Sequence, residues 1–300
     1  MKRISVLIQE TSNPKIIKFE TNSFLTDHES FEYQNIDDAK NSPLAQQLFY
    51  LPFVKKIYIS ANFVAIERFD IVEWNDVQNE VAQQIETYLN EGGIVVTSSS
   101  ETKKIPITVY AEVTPNPAVI KFVTNKKIVL QTLEFKSIDD AINSPFATEL
   151  FRLPFVKSVF LDENYISITK YDVADWNDIT MELREFIKLY LEQGKTIITE
   201  SETNSEDKKS VNTEVQTENL DDISKEIVSI LDEYIKPAVA SDGGNIVFHS
   251  YDPDYKKVKV ILQGACSGCP SSTITLKNGI ENMLKEMLHG KVELVEAING

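Results

Sequence analysis

Short apolar runs and regularly spaced apolar side chains divide the chain into predicted elements. Ile16-Ile17-Lys18-Phe19 and Val119-Ile120-Lys121-Phe122 follow the Asn-Pro turns Asn13-Pro14 and Asn116-Pro117 and read as strands. Asn41-Ser42-Pro43 and Asn143-Ser144-Pro145 open helices that carry Leu44, Leu48 and Phe49, or Phe146, Leu150 and Phe151. A strand pair follows at 54–59 and 63–67. A longer helix then closes each stretch, at 74–89 and 176–191, with Gly92 and Gly194 as stops. Further on, Ile223, Ile227, Ile230, Leu231 and Tyr234 recur at spacings of three and four, the mark of an amphipathic helix, with Asp221 and Asp222 at its favourable N-terminal end. Pro237 bends or ends that helix, and Asp242-Gly243-Gly244-Asn245 makes the turn beyond. Two strands flank Asp252-Pro253-Asp254, the second with Val258, Val260 and Leu262 on one face. A helix with Ile280, Met283, Leu284, Met287 and Leu288 on one side ends at His289-Gly290, and 292–295 reads as a last strand.

The first two-thirds of this pattern is one unit written twice. Ile36-Asp37-Asp38-Ala39 returns as Ile138-Asp139-Asp140-Ala141, Leu51-Pro52-Phe53-Val54-Lys55 as Leu153-Pro154-Phe155-Val156-Lys157, and Trp74-Asn75-Asp76 as Trp176-Asn177-Asp178. From the Asn13-Pro14 and Asn116-Pro117 turns to these later pairs the offset slips by one residue, so a single deletion separates the copies. A period of this length is domain-sized, not solenoid-sized. The expected fold class is α+β: three small α+β domains, with tandem N-terminal repeats at 1–97 and 105–199 and a C-terminal αββαβ domain at 219–300. The run Ser201-Glu202-Thr203-Asn204-Ser205-Glu206-Asp207-Lys208-Lys209-Ser210 holds no apolar residue. It cannot bury enough surface to offset its ordering entropy, so 200–218 reads as a flexible acidic linker that lets the tail swing. A shorter linker is expected at 98–104.

Composition narrows the partners. With 46 acidic and 30 basic residues the net charge is −16, which repels a phosphate backbone and excludes nucleic acid as an expected partner. Met1-Lys2-Arg3-Ile4-Ser5-Val6-Leu7-Ile8-Gln9-Glu10 has an apolar run too short for a signal peptide and turns acidic too soon for a typical mitochondrial presequence. No apolar stretch approaches the roughly 18 residues of a membrane span. Two cysteines cannot build a secreted disulfide framework. The expectation is a soluble cytoplasmic protein with no membrane contact.

Those two cysteines, Cys266 and Cys269, lie three residues apart in Cys266-Ser267-Gly268-Cys269-Pro270-Ser271-Ser272. Pro270 suits the first position of a helix, which makes Cys269 the N-cap. A sulfur there faces unpaired N–H groups and the positive end of the helix dipole, which favour the thiolate. Gly268 lets both sulfurs converge, and Gly264 permits a tight turn on the other side. A thioredoxin-like redox pair is one reading, although that motif normally follows a first strand and is accompanied by a later proline. Here a helix and two strands precede it, and no proline follows Pro270. Zinc needs four ligands, and the nearest extra candidates, His249 and His289, sit in a strand and at a helix end that explain them without metal. An iron–sulfur cluster typically takes four thiolates, which two chains related by a two-fold axis would supply together. Ordinary structural cysteines are the fourth reading, but these tend to lie singly in apolar surroundings.

Beyond the chemistry, the residues carry a resemblance. The tail resembles the C-terminal domain of the NifU family (Nfu-type iron–sulfur scaffolds) in Lys236-Pro237, Asp242-Gly243-Gly244 and Gly264-Ala265-Cys266-Ser267-Gly268-Cys269-Pro270-Ser271-Ser272. The repeats resemble the Nfu N-terminal domain through Thr114-Pro115-Asn116-Pro117, Lys121-Phe122, Asn143-Ser144-Pro145 and the stretch from Leu153 to Phe160. The resemblance implies a scaffold or carrier, not an enzyme. One [4Fe–4S] cluster, or a [2Fe–2S] cluster with the same ligand count, is then bound and bridged between two chains through Cys266 and Cys269 of each. It further implies a homodimer through the C-terminal domain when cluster-bound, with upstream cluster donors and apo iron–sulfur client proteins as partners. Transfer would be thiolate exchange, in keeping with the absence of a Gly-x-x-x-x-Gly-Lys-Ser/Thr phosphate loop. The chain departs from the family in carrying Asn245 where Asp is usual, and in two N-terminal domains where one is usual. Trp74 and Trp176 read as core anchors. The repeats hold no cysteine and, apart from His28, no histidine, so docking suits them better than metal binding.

Overall fold

Alternation of inward apolar and outward polar side chains sets the first sheet. Val6–Glu10 (β1), Ile16–Thr21 (β2), Ser30–Tyr33 (β3), Val54–Ser60 (β4) and Phe63–Arg68 (β5) pair antiparallel in the order β1-β2-β5-β4-β3. The structure, a computed structural model, describes residues 3–26, 29–97, 106–199, 220–267 and 270–299. Ile17, Phe19, Ile57, Ile59, Val64 and Ile66 form one buried face. On it lie the helices Pro43–Phe49 (α1) and Trp74–Asn90 (α2), through Leu44, Leu48, Val81, Ile85 and Leu89. Ser42 caps α1, its hydroxyl accepting the Ala45 N–H at 3.1 Å, and Pro43 follows in the first turn, where a missing donor is harmless. Trp74 is buried edge-on to Phe19 and Phe53, and its indole N–H donates to the Lys15 carbonyl at 3.0 Å. This is the anchor role the sequence suggests.

The chain divides into two compact units, Met1–Pro106 and Ile107–Gly300. The second opens with the same architecture: Val109–Val113 (β6), Val119–Thr124 (β7), Leu133–Phe135 (β8), Pro145–Phe151 (α3), Val156–Asp162 (β9), Tyr165–Lys170 (β10) and Trp176–Glu192 (α4), in sheet order β6-β7-β10-β9-β8. Ser144 repeats the Ser42 cap on the Ala147 N–H. The Trp176 indole donates to the Pro117 carbonyl at 2.9 Å, as its twin does to Lys15. The edge strands β1, β3, β6 and β8 go beyond the three strands per copy that the apolar pattern predicts.

The same unit continues with Asp222–Ile230 (α5), a single π turn at Leu231–Ile235, and Lys236–Ser241 (α6). Asp221 caps α5 by accepting the Ser224 N–H at 2.9 Å. Of the two outcomes expected at Pro237, a bend or an end, the helical run does not end there. The proline sits in the first turn of α6, and the wider π turn before it absorbs the missing donor. Gly244–Asp252 (β11) and Lys257–Gly264 (β12) pair antiparallel, and Pro270–Met287 (α7) crosses over to Leu294–Asn299 (β13), parallel to β12. Val258, Val260, Leu262, Ile280, Leu284 and Leu288 close the core. The last strand begins later than the predicted 292–295, because Val292 packs into the core ahead of it. The three sheets with their helices make the chain α+β throughout. Among the described residues no helix is long and apolar enough to cross a membrane. The predicted linkers at 98–104 and 200–218, and the residues His28, Gly268 and Cys269, lie outside the described residues.

Candidate metal centre

The cysteine loop is built from the meeting of two strand ends. β12 runs out at Gly264, whose φ of +62° lies in the left-handed region that favours glycine, and the chain turns through Ala265 and Cys266. The turn is tied down as Ala265 N donates to the Gly243 carbonyl at 3.1 Å, while Ser267 donates through both its N–H and its hydroxyl to the Gly264 carbonyl. α7 begins at Pro270, as the motif predicts. The Asp-Gly-Gly motif has a specific job beside the loop. A Cβ on Gly244 would lie 2.7 Å from Cys266 Sγ and 2.7 Å from the Gln263 carbonyl oxygen, so only glycine leaves room for the cysteine. Asn245 is buried, and its amide donates to Gln263 Oε1 at 3.0 Å across the β11–β12 pair.

Cys266 is 7% exposed. Burial, with the Asp242 charge adding to it, pushes its thiol up to about 11. The helix-end argument for a favoured thiolate concerns the N-cap sulfur of Cys269, outside the described residues; at Cys266 desolvation prevails. The two histidines weighed as extra ligands are both exposed. His249 Nδ1 lies 3.0 Å from the Ser250 hydroxyl on β11, and His289 follows α7 with φ +47°. Among the described residues no three His, Cys, Asp or Glu side chains converge.

No motif local to the second repeat marks a contact with this loop, yet its open sheet face makes one. Asn116 Nδ2 donates to the Ala265 carbonyl at 3.1 Å, Ser167 Oγ to the Gly243 carbonyl at 2.6 Å, and Lys121 Nζ to the Ser241 carbonyl at 3.2 Å. Glu134 Oε1 accepts the Gly264 N–H at 3.0 Å. The Tyr165 hydroxyl donates to the Gly244 carbonyl at 2.8 Å and lies 3.1 Å from Asp162 Oδ2. Burial raises the Glu134 and Asp162 carboxyls, and burial together with the Asp162 charge raises the Tyr165 hydroxyl. The readable signal was the difference between copies: Tyr165 and Ser167 stand where the first repeat has Phe63 and Ala65.

With this geometry in view, the fold and the loop define a class: a scaffold protein of the Nfu/NifU type. The model "Scaffold protein Nfu/NifU N terminal" matches residues 6–92 and again 109–194, and "NifU-like domain" matches 227–295. The chain belongs to this family of iron–sulfur cluster scaffolds. It is similar to "NFU1 iron-sulfur cluster scaffold homolog, mitochondrial" of Drosophila willistoni, 39% identical over 187 residues that cover 62% of this chain and 61% of that one. The protein of the same name in Homo sapiens is 35% identical, covering 62% and 69%. "NifU-like protein 4, mitochondrial" of Arabidopsis thaliana is 32% identical over 172 residues, covering 57% and 59%. The match thus spans about three-fifths of two of these three relatives. The relatives' names overturn the cytoplasmic expectation. Retained thiols separate a reducing compartment from an oxidising one, but they do not separate the cytosol from other reducing compartments.

Proposed function

We propose that the chain carries an iron–sulfur cluster as cargo, held between two copies through Cys266 and Cys269 of each and handed to apo-proteins by thiolate exchange. The observation that carries this reading is the seat of Cys266: a glycine-cleared niche against Gly244, one turn before α7, in a loop with no room for a larger neighbour. One chain offers two thiolates and a cluster typically takes four, so a second copy completes the set. A [4Fe–4S] cargo is the family's implication, and a [2Fe–2S] cargo has the same ligand count. A cluster shared across a small symmetric interface is exchanged as incoming client cysteines replace scaffold thiolates one at a time. Such exchange requires no general acid, base or nucleotide, so the role is that of a carrier and not an enzyme.

The boundaries 1–97, 105–199 and 219–300, with a spacer at 200–218, fit this division of labour. The repeats dock clients or upstream donors, and the tail holds the cargo. The charge of −16 argues against a nucleic-acid partner. The context of the pair argues against the redox alternative, since a helix and two strands precede it and no proline follows Pro270. The names of the relatives lead us to mitochondria as the working compartment; subcellular fractionation that finds the protein only in cytosol would refute that placement.

The direct test is substitution. Cys266→Ser and Cys269→Ser should each abolish a stable bridged cluster after anaerobic reconstitution with iron and sulfide, read by visible absorbance and iron content. Full, stable cluster in either variant would sink the assignment.

A further inference from the structure

Resting on the carrier reading for its consequence, we infer that the second repeat is an intramolecular clamp that holds the cysteine loop closed and withholds Cys266 until it lets go. The clamp is a row of side chains across the sheet face that α3 and α4 leave open. Lys121 pairs with Ser167, Ser167 with Phe160, and Phe160 with Glu134, on β7, β10, β9 and β8 in turn. The first repeat has the matching row Lys18, Ala65, Tyr58 and Glu32.

The differences between the rows fall where the second row meets the loop. Ser167 supplies a hydroxyl to the Gly243 carbonyl where the first repeat has Ala65. Tyr165 supplies one to the Gly244 carbonyl where it has Phe63. Glu32 is held by Lys56 at 2.9 Å, whereas the second repeat has Ser158 at that position and Glu134 turns to the Gly264 N–H. The fit is close: a Cβ on Gly243 would lie 2.8 Å from Ser167 Oγ, and one on Gly264 would lie 2.9 Å from the Phe160 ring. Ser167, Asn116 and Lys121 are all buried, a state that polar side chains tolerate only when paired, and here the loop's backbone supplies partners.

Held this way, the backbone on either side of the turn is fixed from Ser241 to Gly244 and from Gly264 to Ala265, and Cys266 stays turned into its own domain's core. A cluster shared by two copies needs Cys266 of each at one interface. The clamped and bridged forms therefore exclude one another, and the clamp sets how readily the loop is presented.

The test is the rate at which Cys266 is alkylated by iodoacetamide in the 300-residue chain, without iron, with fragment-ion mass spectrometry separating it from Cys269. The triple variant Ser158→Lys, Tyr165→Phe, Ser167→Ala carries only residues that the sister repeat already accommodates. It should alkylate at least about tenfold faster than the unsubstituted chain, and Ser167→Ala alone about two- to tenfold faster, the range one lost hydrogen bond allows. The mirror variant Lys56→Ser, Phe63→Tyr, Ala65→Ser should alkylate at the unsubstituted rate. Equal rates for the unsubstituted chain and both second-repeat variants would overturn the clamp, and so would equal acceleration in the mirror variant. Because no cluster is involved, failure of the carrier reading leaves this outcome unchanged.

Discussion

At the residue scale, glycine governs the site. Gly244 sits where any side chain meets Cys266 Sγ and a backbone carbonyl, and backbone cannot yield as a flexible side chain can. Gly244→Ala should therefore cost about 1–3 kcal/mol of C-terminal-domain stability in denaturant unfolding, the usual toll of overpacking, and should weaken cluster retention. A value within experimental error of zero would mean that the niche is looser than drawn. Glu134 makes a second residue-scale prediction. Its carboxyl is raised by burial, so the folded state binds a proton more readily than the unfolded chain does. Its effect on the stability of the unit Ile107–Gly300 is then most favourable below its ordinary value, and stability falls as pH climbs from that value through the raised one. Glu134→Gln should flatten part of that fall in pH-dependent melting, with the raised Asp162 carboxyl leaving a residual slope.

At the element scale, the legible parts were those with local signals. The Ser-Pro helix starts, the Trp-led helices, the glycine stops and the inward row Val258, Val260, Leu262 need only neighbours in sequence to be recognised. β1, β3, β6 and β8 are less legible because they lie at sheet edges, where outward positions such as Glu112 and Glu134 break up the apolar run, and because β3 and β8 pair with strands that follow only after an intervening helix. The π turn before Pro237 is illegible for a related reason. A π turn is a local rearrangement set by packing on both sides, and Leu231 and Ile235 bury themselves in the core through it. The capping serines give this scale its prediction. Ser144→Ala removes the acceptor for the Ala147 N–H and the donor to the Ile197 carbonyl. It should destabilise the second unit by about 1–2 kcal/mol in equilibrium unfolding. A smaller loss, comparable with an exposed Ser→Ala change, would show that solvent replaces the cap.

At the scale of the whole molecule, the cysteine pair was the part of the site most open to reading, because its chemistry is carried by residue type and spacing. The contact between that loop and the second repeat has no local signal, since nothing beside Asn116 or Ser167 in sequence announces partners 149 and 76 residues further along the chain. What could have exposed it was comparison of the copies, in which Tyr165 and Ser167 stand where the first repeat has Phe63 and Ala65. Duplication is then more than repetition, since one copy is fitted to the chain's own tail and the other keeps the same face with different chemistry. The compartment was likewise beyond reach of composition, and similarity to named relatives corrected it.

The carrier role proposed for the cysteine loop depends on two chains sharing one cluster through Cys266 and Cys269. Native mass spectrometry of the protein reconstituted anaerobically with iron and sulfide tests it most directly. A bridged cargo gives a dimer heavier by one intact cluster, which returns to lighter, cluster-free species on chelation. A metal-free monomer under the same conditions, or a chain lighter by two hydrogens through a closed Cys266–Cys269 disulfide, would contradict it.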